Sequence, residues 1–254
     1  MRSETAGSGS PSREWFRDWF GEEYLELYPH RDEEEAARAV ELFLEVAAPL
    51  PGPLLDLACG AGRHLRELEA SGVDAVGLDL SAALLLEARR SAHHARLVRA
   101  DMRRLPFATA AFGGLTSFFT SFGYFESRAE DRQAAREVRR VLRDGGRFML
   151  DFFNADRVRD ELVPHDEREF RGRRVTQARE IVDDTVVKRI RIVEEIDGER
   201  RERRFEERVR LYSPRELEDL LADAGLSVER RHGDYQGGGF DTGAERLILS
   251  GVAG

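Results

Sequence analysis

The chain has 254 residues, 41% hydrophobic and 35% charged, with a net charge of −9. That is enough for one large domain, or a domain with a small insert, and the acidic balance argues against a protein that tracks nucleic-acid phosphates. A single cysteine, Cys59, excludes an internal disulfide, and with no long apolar run and no charged-then-apolar leader the expectation is a soluble, cytoplasmic protein away from membranes.

Residues 1–12 are small and polar and read as a disordered tail. An N-terminal helical segment, 13–48, follows. In it Trp15, Phe16, Trp19 and Phe20 fall at helical spacing, and a further helix runs from an Asp32 cap, with Glu35 three residues on, to about Val46. "PLPGP" at 49–53 ends it. Strand and helix then alternate. "LLDLA" is a strand, and "RHLRELEAS" is a helix ending near Gly72. "DAVGLDL" is a strand, and "SAALLLEARRSA" is a helix capped by Ser81. "ARLVRADM" and "FGGLTSFF" are strands three and four, and "AEDRQAAREVRRVL" is a helix closed by "RDGG" before a fifth strand, "RFMLDFF". This order predicts a parallel sheet with helices on both faces.

The alternation breaks after Asn154. From about 166 to 212 the chain shows period-2 stretches rich in charge, including the only lysine, Lys188, and "DG" at 197–198 is a hairpin signal. Residues 156–212 therefore read as an antiparallel β insert. A helix capped by Ser213, with Pro214 in its first turn and Gly225 at its end, returns the chain to the sheet for two last strands. The resulting expectation is a doubly wound, seven-stranded, mainly parallel sheet over 49–155 and 213–254, its last strand antiparallel.

The stretch that asks for a ligand is "LLDLACGAGRHL", 54–65. A glycine turn between a first strand and a first helix lies at the ligand edge of such a sheet. A pyrophosphate site wants a third glycine where Leu65 stands, and Asp56 is awkward beside a dianion. A cationic ligand without phosphate removes both objections.

On these residues the chain resembles the class I S-adenosylmethionine-dependent methyltransferases, "DLACGAG" standing for their first motif with Ala58 where many have glycine. The resemblance implies S-adenosylmethionine as cofactor. Asp79, ending the second strand, would take the ribose diol. Asp101 and Met102 in "ADMRRLPF" would read the adenine. "LYPHRDEEEAA" resembles an N-terminal lid whose Tyr28 and Arg31 reach the cofactor. With Asp56, Ala58, Cys59, Gly60, Gly62, Leu80 and Phe119, these form the implied cofactor set. Within the class the likeness is to amino-sugar-type N-methyltransferases, in which "FFTSFGYF" at 118–125 lines the active site and an insert after strand five caps it. Tyr124 is the catalytic candidate.

Other residues have two readings. Cys59 is a small filler or a nucleophile, and no activating base is evident for the second role. His64 is packing or surface. Phe118, Phe119, Phe122 and Phe125 wall a pocket or fill the core. His165, His232 and Asp241 lie near segments that form the rim of a cap. No metal-ligand spacing is present. The expected activity is in-line methyl transfer to a small-molecule acceptor by a monomer or homodimer, with nitrogen favoured over oxygen because no strong base is visible. The rivals are a non-catalytic regulator or partner subunit of the same fold and a methyltransferase acting on a macromolecule. Against the latter, "FTSF" replaces any N/D-P-P-Y tetrapeptide. A dehydrogenase is disfavoured by the missing third glycine.

Overall fold

The structure is a computed structural model that describes residues 14–28, 33–92 and 96–254. Three helices, Trp15–Trp19 (α1), Glu22–Leu27 (α2) and Glu33–Ala47 (α3), precede the first strand, and the Asp32 cap and Arg31 lie outside the described residues. Leu54–Leu57 (β1) is buried at every position. A strand covered on both faces needs a continuous apolar run rather than alternation, and Ala75–Asp79 (β2) is buried in the same way. Between them Arg63–Ala70 (α4) ends at Ser71–Gly72, where the φ of +75° at Gly72 takes the left-handed turn that closes a helix. Ala82–Ser91 (α5) follows β2, its Ser81 cap accepting from the Leu84 N–H at 3.1 Å. Arg96–Arg99 (β3) forms one edge of the sheet and is partly exposed.

Phe112–Ser117 (β4), Arg128–Val141 (α6) and Leu142–Phe153 (β5) complete the alternating part. Pro214–Asp223 (α8), Leu226–His232 (β10) and Arg246–Ala253 (β11) close the chain. Ser127 with Glu130 on α6, and Ser213 with Glu216 on α8, form reciprocal capping boxes. The seven strands lie in the order β10-β11-β5-β4-β1-β2-β3. All pairs from β5 to β3 are parallel, and β11 is antiparallel to both its neighbours, as expected. Leu55, Leu57, Phe148, Leu150 and Leu249 belong to the apolar cluster on one face of the sheet; Leu54, Met149 and Ile248, with α3 and α4, belong to the other. The strand order reverses between β1 and β4, so their carboxyl ends leave a crevice between diverging connections.

The insert after β5 is a four-stranded antiparallel meander, His165–Phe170 (β6), Arg173–Val182 (β7), Thr185–Ile196 (β8) and Glu199–Arg210 (β9). Each of its turns has two residues at positive φ: Arg171 and Gly172, Asp183 and Asp184, Asp197 and Gly198. That turn geometry matches the twist of the flanking strands. Before the meander stands a short helix, Ala155–Glu161 (α7), where the sequence pointed to strand from 156. Only Ala155 of α7 is buried, so no apolar stripe announces it. Asn154 caps it and also donates from Nδ2 to the Thr242 and Ala244 carbonyls at 3.0 and 2.8 Å, tying the β10–β11 connection to the end of β5. Among the described residues no helix is long and apolar enough to cross a membrane.

Candidate active site

The carboxyl ends of β1, β2, β3 and β4 open into one cleft of about 1950 Å³, which the N-terminal helices and the inner face of the meander also line. A pocket for one small ligand is typically ~300–1,000 Å³, so two molecules have room here.

The chain leaves β1 through Ala58, Gly60 and Gly62, all at positive φ (58°, 56° and 82°). The two glycines serve different ends. A Cβ on Gly62 would stand 2.9 Å from the Ala88 Cβ, so this position lets α5 approach; above Gly60 nothing lies within 4 Å, which leaves backbone open to a ligand. Ala58 takes the same left-handed conformation with a Cβ in place. Cys59 lines the cleft, but burial, together with the charges of Asp56 and Asp79, pushes its thiol well up. It is a filler, not a thiolate nucleophile.

Asp79 ends β2 at the cleft wall, beside Leu80. Its Oδ2 accepts from the Gly60 N–H at 2.9 Å and its Oδ1 from the Ser81 N–H at 2.8 Å. Burial raises its pKa, and those backbone donors oppose the rise. A carboxylate accepts about four hydrogen bonds, so both oxygens keep capacity for a vicinal diol. After β3, Asp101 and Met102 also line the cleft. Burial alone would raise the Asp101 pKa; hydrogen bonds from Arg103 outweigh it and hold the group below the usual carboxylate range. Open backbone over Gly60, a diol acceptor at Asp79 and a carboxylate beside an apolar side chain at 101–102 fit an adenosyl group.

Asp56 behaves differently from Asp79 and Asp101. It sits in the middle of β1, buried behind the turn and outside the cleft wall. Its Oδ1 accepts from Thr116 Oγ1 at 3.0 Å, and its Oδ2 has no hydrogen-bond partner among the described residues. Burial pushes its pKa up to about 7, with repulsion from Asp79 adding to this and Thr116 and Arg63 opposing it.

Tyr28 lines the cleft and reaches the meander, where Lys188 Nζ donates to its hydroxyl at 2.9 Å. Lys188 stands in register between Arg179 and Glu207 on neighbouring strands and pairs with Glu207 at 3.4 Å. Glu207 also accepts from the Trp19 indole, and the Val186 and Val209 pair, two register positions away, continues the roof. Tyr124 lines the cleft from the connection after β4. Its ring stacks on Phe20 with centroids 5.8 Å apart and meets Trp15 edge-on at 5.0 Å, and its hydroxyl donates to the Thr120 carbonyl.

Beneath that connection lies a polar network that the sequence reading missed. Asp151 is buried in β5 and accepts from the Phe119 N–H at 2.5 Å, from the Tyr235 hydroxyl and from Arg246 Nε. Arg246 also donates to Thr120 Oγ1 at 3.2 Å. The Phe119 ring lies between the Arg63 and Arg246 guanidinium groups, 4.7 and 5.0 Å from its centroid. Phe119 and Thr120 both have positive φ, 59° and 55°, a conformation that β-branched and bulky residues hold only under constraint. The signal was a lone carboxylate inside an apolar strand, as at Asp56; its partners Tyr235 and Arg246 are remote in sequence.

Of the remaining candidates, His64 stacks on Phe118 at 4.4 Å, and both line the cleft with Phe119 and Phe125. Phe122 is core, and His165, His232 and Asp241 lie outside the cleft wall. Among the described residues no group of three or more His, Cys, Asp or Glu is placed to hold a metal.

Comparison with known proteins gives the family and the fold. Residues 54–146 match the family described as "Methyltransferase domain". The chain is 32% identical over 200 residues, 77% of its own length and 78% of the relative's, to the dTDP-3-amino-3,6-dideoxy-alpha-D-glucopyranose N,N-dimethyltransferase of Streptomyces fradiae. It is 28% identical over 223 residues, 85% and 94% of the two lengths, to the dTDP-3-amino-3,4,6-trideoxy-alpha-D-glucopyranose N,N-dimethyltransferase of Streptomyces venezuelae. The fold superimposes on the sugar N-methyltransferase KedS8 from a Streptoalloteichus species with a TM-score of 0.73 at 24% identity, covering 99% of this chain and 98% of the other.

Proposed function

Because this chain belongs to the class I S-adenosylmethionine-dependent methyltransferases, we propose that it methylates an amine on a small, sugar-type acceptor. S-adenosylmethionine supplies an electrophilic methyl group on a sulfonium. The chain's own part is alignment and exclusion of water, which is where most of the acceleration of an in-line displacement arises. Asp79 holds the ribose, Asp101 and Met102 the adenine, and the turn at 58–62 the methionyl end, with Phe119 beside it. Tyr28, which lines the same cleft, closes over the cofactor from the N-terminal segment; Arg31 lies outside the described residues.

The acceptor lies between residues 118–126 and the underside of the meander. Tyr124 donates its proton to the Thr120 carbonyl, so toward the acceptor its oxygen offers lone pairs. An amine N–H donated to that oxygen would fix the direction of the nitrogen lone pair. The paired charges of the roof, Arg179 with Asp166 and Lys188 with Glu207, present donors and acceptors of the kind that hydroxyl and amino substituents satisfy. Residues 13–48 act as lid, 156–212 as cap, and the rest as the cofactor-binding body.

The observation that carries this reading is the continuity of one cleft from Asp79 and Asp101 to Tyr124 and the cap. The test is incubation with S-adenosylmethionine and matched acceptors, amino sugars and amino-sugar nucleotides against their hydroxyl-only analogues, reading S-adenosylhomocysteine and acceptor mass. Methylation confined to the amine-bearing members is expected. Methylation of the hydroxyl analogues alone, or of protein or nucleic acid only, would overturn it.

A further inference from the structure

Arg103 lies outside the cleft wall yet is joined to everything around its adenine corner. Its backbone N–H and Nε donate to Asp101 Oδ1 at 2.9 and 3.0 Å, and its Nη2 donates to Asp101 Oδ2 at 2.6 Å. The same Nη2 donates to Glu14, which immediately precedes α1, and Nη1 donates to Glu130 in the first turn of α6 at 2.6 Å. The guanidinium lies 4.8 Å from the Phe125 ring centroid and 5.9 Å from that of Phe16 in α1. Its carbonyl accepts from Gln133 of α6 at 3.0 Å, which fixes the main chain at the same point. Its side chain is only 16% exposed, so these charge-assisted bonds are shielded from water.

α1 in turn spans both halves of the cleft. Arg17 reaches Asp101 at 3.5 Å, Trp15 meets Tyr124, and Phe16 meets Phe125 edge-on at 5.9 Å. We infer that Arg103 is a positioning residue that couples occupancy of the adenine corner to the docking of α1, and through Trp15 to the placement of Tyr124. It orients the Asp101 carboxylate from behind and holds Glu14 with the same nitrogen, so whatever fixes one carboxylate favours the other. The coupling is reciprocal by linkage: if docked α1 strengthens cofactor binding, cofactor strengthens docking by the same factor. This inference rests on the placement of adenine at Asp101 proposed above.

Both tryptophans of the chain, Trp15 and Trp19, are in α1 and are buried. Tryptophan emission therefore reports the docking of this one helix. The experiment compares wild type, Arg103→Met, Glu14→Gln, their double variant and Asp101→Ala. It reads S-adenosylhomocysteine affinity by calorimetry and tryptophan emission with and without that ligand. Arg103→Met is expected to weaken binding about 10-fold and to red-shift the ligand-free emission, with saturating ligand reversing the shift. Glu14→Gln should weaken binding about 3-fold, and the double variant should lie close to Arg103→Met alone, since both remove the Arg103–Glu14 pair and the further Glu14–Arg17 pair is exposed and worth little. If Asp101→Ala weakens binding while Arg103→Met and Glu14→Gln change neither affinity nor emission, the coupling is refuted and the adenine assignment stands. If Asp101→Ala binds like wild type, the assignment itself fails. Should Arg103→Met lose its cooperative thermal transition, Glu14→Gln decides alone: unchanged affinity and emission overturn the inference.

Discussion

Replacing Asp56 by Asn would show whether the carboxyl behind the glycine turn titrates within the neutral range. Burial places its folded pKa at about 7, against ~3.9 in an unfolded chain. The folded state holds this proton more tightly than the unfolded one. The resulting stability is complete below pH ~4 and is lost as pH rises through about 7. Integrating between these values, the group has withdrawn about 1.5 kcal/mol by pH 5 and about 4 kcal/mol by pH 8, a difference of about 2.5 kcal/mol. Asparagine keeps the shape and can still accept from Thr116 Oγ1. Its NH₂ replaces an oxygen that has no partner among the described residues, a fixed cost of ~1–3 kcal/mol that does not vary with pH. Urea unfolding of both proteins at pH 5 and pH 8, followed by circular dichroism, isolates the titration. The stability of the variant relative to wild type should improve by about 2–3 kcal/mol from the lower to the higher pH. A relative stability constant to within about 0.5 kcal/mol would mean that Asp56 is ionised throughout, and that the buried carboxylate has a counter-charge unaccounted for in this reasoning.

Three further outcomes are expected. Asp79→Ala removes the carboxylate proposed to take the ribose diol and should weaken S-adenosylmethionine binding by ~1.5–3 kcal/mol; calorimetry giving unchanged affinity would remove Asp79 from the proposed cofactor site. Tyr124→Phe keeps the ring stacked on Phe20 and deletes the hydroxyl, so turnover should fall ~10- to 1000-fold while cofactor affinity holds within about twofold; wild-type turnover would leave Tyr124 a wall residue. Ala58→Gly relieves a left-handed alanine worth ~1–2 kcal/mol, against ~0.5–1 kcal/mol of added unfolded-state freedom. A modest rise in melting temperature should follow, and a fall would mean that the Ala58 methyl makes packing contacts that outweigh the strain.

What the sequence discloses about this molecule is what is local. The buried strands are legible because β1 and β2 carry no alternation, and the caps at Ser81 and Ser213 because their partners lie three residues away. That Asp79 and Asp101 line one cleft is legible because strand ends share one edge of a parallel sheet. The remainder depends on distance in sequence. Lys188 meets Tyr28 across 160 positions and Arg246 meets Asp151 across 95, and no spacing rule reaches so far. The exposed α7 is hidden for a different reason: seven residues with one buried side chain produce no period to detect. Asp56 is the instructive intermediate case. It stands in the strand that leads to the glycine turn, but its side chain is buried outside the cleft wall, and apolar residues on both faces of a strand do not tell front from back.

Besides its contacts with the N-terminal helices, the meander is joined to the larger sheet by two segments that meet. On one side Arg159 of α7 pairs with Asp184 at 3.1 Å, and on the other the Leu211 N–H donates to the Asp184 carbonyl at 2.7 Å, so the segments that enter and leave the meander meet at a single turn. Hairpins such as that at Asp197–Gly198, far from that turn, are free to lengthen, shorten or change charge without disturbing a single strand of the larger sheet. Change there would leave the strand ends at Asp79 and Asp101 as they are.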